Sequence, residues 1–149
     1  ISYFYTAGVA TRGGVACLDV LSASGAAMDQ GDNTVSYQAA STTDVPVGIL
    51  LNDVVNKDLT RTHLNFYKNE VQKGGKVTIL KRGWVVTSNV TGSPSPGDVA
   101  FASETSGEIA NVAADATASG NLAIGRFMSA KDADGYAKVY VNLPNHGAN

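Results

Sequence analysis

The chain of 149 residues holds a single cysteine, Cys17, so no internal disulfide can form and no thiolate cluster exists for zinc or an iron–sulfur centre. Its flanks, Val15, Ala16 and Leu18, mark it as a small buried hydrophobe rather than a nucleophile. Histidine is almost as scarce: His63 and His146 are too far apart in sequence to suggest a metal site. Charged residues make up 16% of the chain, against about 25% in an average soluble domain, which argues against long helices laced by Glu and Lys. There is no apolar run of about 18 residues for a membrane-spanning helix, and no basic, then apolar, signal segment opens the sequence, so a soluble protein is expected. A net charge of -2 and a pI near 5.5 leave little bulk attraction for nucleic acid or an acidic membrane. Aromatics are 7% of the chain with one Trp, fewer than a cleft that stacks sugars or bases usually presents, and this lowers the expectation of catalysis on such substrates.

What the chain does have is glycine, 16 residues of it, with short runs of Val, Ile, Thr and aromatics between Gly, Asn, Asp and Ser clusters. Period 2 dominates. The clearest strand runs over 76–82 and continues through Gly83 into Trp84-Val85-Val86-Thr87, with Gly83 marking a bulge or bend. A second spans 136–143, where Lys138, Tyr140 and Asn142 alternate with Ala137, Val139, Val141 and Leu143. Asp134-Gly135 reads as a two-residue turn joining it to an arm at 123–128. Weaker strands are expected over 8–21, 34–38, 45–51, 62–67, 99–102 and 108–111. The Ala-rich stretch 109–118 lacks a supporting polar face and reads as a short turn. Gly92-Ser93-Pro94-Ser95-Pro96-Gly97 is too short for a domain linker and reads as a loop. The expectation is therefore an all-β protein: one β-barrel or sandwich of short antiparallel strands with long loops and little helix, spanning 1–149, with an N-terminal segment at about 1–8 and a short tail at about 144–149.

The chemical motifs fail on inspection. Gly74-Gly75-Lys76 is followed by Val77 and a strand, where a phosphate loop needs Ser or Thr and a helix N-terminus. Asp132-Ala133-Asp134-Gly135 lacks a liganding position of a calcium loop, and Leu143 stands where its bidentate Glu belongs. His63, in Arg61-Thr62-His63-Leu64-Asn65, has no Gly-x-Ser-x-Gly elbow and reads as a surface or interface histidine. Asn89-Val90-Thr91 has glycosylation spacing without a secretory context, and Arg12-Gly13-Gly14 occurs once. No catalytic, cofactor or metal residues are assigned.

Two features point to partners instead. Tyr3, Phe4 and Tyr5 crowd the N-terminus and form either a first strand or an arm reaching a neighbour. Seven of the eleven cations lie between Lys57 and Arg82, accompanied only by Asp58 and Glu70, which makes the middle locally basic. This is either a solvated strand face with edge lysines or a docking surface for an acidic partner. The partner-contact candidates are Tyr3, Phe4, Tyr5, Arg61, His63, Lys68 and Lys73, whereas the hairpin over 124–143 is expected to be chiefly core.

An ordered series of segments carries a family resemblance: Gly13-Gly14-Val15-Ala16-Cys17-Leu18-Asp19, Val47-Gly48-Ile49-Leu50, Lys73-Gly74-Gly75-Lys76-Val77-Thr78, Gly83-Trp84-Val85, Pro96-Gly97-Asp98-Val99-Ala100-Phe101, Gly107-Glu108-Ile109 and Ala123-Ile124-Gly125-Arg126-Phe127. In this order they resemble the small β-barrel decoration, or cement, proteins of tailed-phage heads, over about 8–143. The resemblance implies a structural virion protein, made in the host cytoplasm, that binds the outside of the capsid and clamps neighbouring major capsid protein subunits. It further implies no cofactor, no reaction, and a state that is monomeric or homo-oligomeric, while the charge balance and the lack of a long apolar run lead to the expectation of no direct contact with nucleic acid or membrane. The competing expectation is a tail- or fibre-associated module that binds a receptor or carbohydrate.

Overall fold

The computed structural model describes residues 3–5, 10–18, 34–37, 46–54, 70–71, 76–103, 107–111 and 123–143. The strands are β1 (Tyr3–Tyr5), β2 (Ala10–Thr11), β3 (Val15–Leu18), β4 (Thr34–Tyr37), β5 (Pro46–Val54), β6 (Glu70–Val71), β7 (Lys76–Leu80), β8 (Arg82–Thr87), β9 (Val99–Ala102), β10 (Ile109–Ala110), β11 (Ala123–Phe127) and β12 (Ala137–Asn142). No described residue is helical. The all-β reading of the sequence is correct, and the barrel form occurs beside an open sheet: β1-β4-β3-β5-β7 close into a barrel, while β10-β9-β11-β12-β8 form a five-stranded sheet and β2 pairs with β6. The pairings are antiparallel except for β1 with β4, which run parallel. The weaker strand expected over 62–67 lies outside the described residues, as do 112–118 of the Ala-rich stretch.

The strongest strand in the sequence serves both sheets. β7 lies in the barrel between β5 and β1, the chain bends at Lys81, and β8 then pairs with β12 along its whole length, from Arg82↔Asn142 to Thr87↔Ala137. The bend thus falls two residues before the Gly83 that marked it in sequence.

Burial follows the pleat. Residues 15–17 of β3 are buried on both faces: Val15 and Cys17 join one apolar cluster with Ile49, Val90, Ala100, Ile109, Ile124, Phe127, Val139 and Val141, while Ala16, on the other side of the pleat, is equally buried. The cluster therefore draws on both sheets. β12 shows strict alternation, with Ala137, Val139 and Val141 inward and Lys138 and Asn142 outward. β11 does not alternate, since Ile124 and Phe127, three residues apart, are both buried. A register shift against β9 between Ala123 and Gly125 explains it, because a bulge rotates one residue out of the pleat and lets both side chains reach the core.

The connection from β11 to β12 also differs from the two-residue turn expected. The Asp132 carbonyl accepts from the Gly135 N–H at 3.1 Å, the Asp132 N–H donates to the Tyr136 carbonyl, and Gly135 takes φ 85°. A left-handed glycine following a tight turn is the three-residue hairpin connection. The Asp132 carboxylate accepts from the N–H groups of Asp134 and Tyr136 at 3.0 and 2.8 Å.

Candidate interaction face

Period 2 along β8 and β12 sorts side chains into two sets, and the outward set is chemically distinctive. Directly opposed residues share a face, so register places Trp84 beside Tyr140 and Tyr140 beside Arg126 in one row, Val86 beside Lys138 in the next, and Arg82 beside Asn142 in the third. Trp84 is 56% exposed and Val86 61%, although both are large and apolar. Their inward neighbours, Val85 and Thr87, pair with Val139 and Ala137 and pack on the core side. The core thus stands immediately behind this face.

The aromatic pair is fixed. The Trp84 and Tyr140 ring centroids lie 5.0 Å apart with planes tilted by 56°, within the range that aromatic quadrupoles favour. The Lys138 ammonium stands 5.5 Å from the centroid of the Trp84 ring, close enough for a cation–π contact. Tyr140 raises the guanidinium pKa of the exposed Arg82 above its ordinary value, through side-chain hydrogen bonding first and charge interaction second. Arg126 Nη1 donates to the Gly97 carbonyl at 3.0 Å. No Asp or Glu occupies any of the three rows.

A second polar cluster lies at the loop before β9. Asp98 accepts from the Ser95 backbone N–H at 2.9 Å and from Asn111 Nδ2 at 3.0 Å. These two bonds hold its carboxyl pKa below the ordinary aspartate range. Ladder-like bonds also join the loop to β11: Gly97 N–H donates to the Phe127 carbonyl, and Phe127 N–H to that of Asp98. The Gly- and Pro-rich stretch is accordingly a loop stitched into the second sheet. Among the described residues, no three His, Cys, Asp or Glu side chains gather as a metal site would require.

The residues singled out from sequence fall differently. Tyr3, Phe4 and Tyr5 are β1, bonded to β4 on one edge and β7 on the other, which corrects the alternative of an outreaching arm. Hydrogen bonding on both edges makes the segment a barrel stave. Arg61, His63, Lys68 and Lys73 lie outside the described residues, as does His146. The hairpin over 124–143 is core on one face only; its other face supplies Arg126, Lys138 and Tyr140 to the aromatic and cationic surface. The sequence reading did not single out Trp84, Val86, Tyr140, Lys138 and Arg126, which the register gathers on this outward face. Their signal was present in the alternation already noted for β12, and in β8 the same alternation puts the lone Trp with Arg82.

Comparison with known proteins gives two findings. The profile of a family described as "XM1 gp53 minor capsid protein" matches residues 6–141. Among solved structures, a chain of "The capsid of Myoviridae Phage XM1" is similar in fold, with a TM-score of 0.60 at 14% sequence identity, covering 95% of this chain and 81% of that one. No curated protein matches the chain.

Proposed function

Because the chain belongs to the XM1 gp53 minor capsid protein family, we propose that this phage capsid structural protein binds the outer surface of the capsid and stabilises contacts between major capsid protein subunits. The observation that carries the reading is the outward face of β8 and β12. Trp84 and Val86 are exposed by 56% and 61% on a sheet whose other side is packed, so they contribute little to this chain's own core. Aromatic and arginine side chains on a rigid support are the usual anchors of protein interfaces. A capsid repeats its binding site many times, and modest affinity per copy suffices for high occupancy if several sites act together. The role needs neither a cofactor nor a bond-making step. The basic residues Arg61, His63, Lys68 and Lys73 belong to the proposal as contributors of charge.

Adding the purified protein to capsids that lack it tests the reading. Binding at a copy number that is a fixed multiple of the capsomer count, together with a higher capsid disruption temperature, is the expected outcome. Failure to bind, or binding that leaves disruption unchanged, contradicts it.

A further inference from the structure

The outward face of β8, β12 and β11 has dimensions and chemistry that define what fits it. From Arg82 to Val86 the strand advances about 13 Å, and from β8 across β12 to β11 is about 10 Å. Within that area stand three cations, Arg82, Lys138 and Arg126, with the half-buried Tyr140 and the exposed Trp84 and Val86. None of the three cations pairs with a carboxylate among the described residues. Two of them are held by neighbours, Lys138 by the Trp84 ring and Arg126 by the Gly97 carbonyl, while Arg82 opens the row beside Asn142. Cations fixed in advance lose little freedom on binding an anion.

We propose that this face docks a short acidic protein segment, with carboxylates on Arg82, Lys138 and Arg126 and an apolar side chain against Trp84 and Val86. The inference rests on the capsid reading only in assigning that segment to a neighbouring capsid subunit. Charge complementarity favours this occupant over two others. A nucleic acid duplex carries one phosphate per about 1.7 Å and is held by extended basic stripes, whereas this patch holds three cations on a chain of net charge -2. A sugar needs an open aromatic plane and acceptors for its hydroxyls. Here Tyr140 is tilted against the Trp84 ring, Lys138 stands by it, and no carboxylate shares the face.

The test uses the full chain and four probes: a synthetic pentapeptide of alternating Asp and Leu, its Asn counterpart, a single-stranded oligonucleotide and a neutral oligosaccharide. Capsids assembled from major capsid protein alone form a fifth arm. The acidic peptide is expected to bind more tightly than the other three, and more weakly as salt rises. Lys138→Glu and Trp84→Ala are expected to weaken both peptide and capsid binding by about tenfold or more with an unchanged melting temperature, while Lys138→Arg retains binding. Equal affinity for the Asn peptide, tighter binding of oligonucleotide or sugar, or variants that bind like the parent overturn the inference. Capsid binding that the variants leave untouched overturns the docking face but leaves the capsid reading standing. Peptide binding that depends on Lys138 and Trp84, without capsid binding, does the reverse.

Discussion

Gly125 shows how one missing Cβ sets a strand spacing. A Cβ there would overlap the Tyr140 carbonyl oxygen and crowd Val141 Cα, both backbone atoms of the paired strand that cannot swing aside. Gly125→Ala must therefore push β11 off β12, next to Ile124 and Phe127 in the core. The expected loss is about 2–4 kcal/mol of unfolding free energy by urea denaturation, read against Ala123→Ser at an exposed site on the same strand. Asp98 acts through charge instead. Its carboxylate accepts two hydrogen bonds in the folded protein, so its pKa is depressed there. The associated stability is complete above the ordinary aspartate range near pH 4 and is lost as pH falls through the lowered value. Asp98→Ala should thus melt lower than the parent at neutral pH, with the gap narrowing as the medium is acidified toward pH 2. A gap independent of pH would assign the effect to packing.

At the level of elements, β1 separates what sequence could reveal from what it could not. Three consecutive aromatics promised buried or interfacial area, but nothing local distinguishes a stave from an arm, since the partners Thr34–Val35 and Lys76–Val77 are remote in sequence. Because β1 closes the barrel, deleting residues 1–5 is expected to lower the melting temperature by several degrees while capsid occupancy among molecules that remain folded stays near the parent's. The converse result would restore the arm. β7, β8, β11 and β12 were legible for the opposite reason: their alternation is local, and pleat alone dictates which side chains share a face. Alternation does not say which face meets water, and so the cationic surface stayed hidden until β8 lay beside β12. The bulge in β11 was unreadable too, because strict period 2 puts Ile124 and Phe127 on opposite sides.

Across the whole molecule, the basic middle of the sequence divides at the bend. Lys76 belongs to the barrel, while Arg82 leads the strand that carries the outward face. Raising ionic strength should therefore weaken attachment without comparable loss of fold, because the cations on the face are exposed and the core beneath is apolar. The continuity of β7 and β8 has a mechanical side as well. A tug on Trp84 or Val86 from anything bound there is delivered along the backbone past Lys81 into a strand bonded on both edges within a closed ring. Hydrogen bonds perpendicular to the direction of pull have to yield together rather than one after another. The bent strand is in that sense a load path: it converts a force applied at a surface patch into shear shared by the barrel, the loading that a small fold without disulfides resists best.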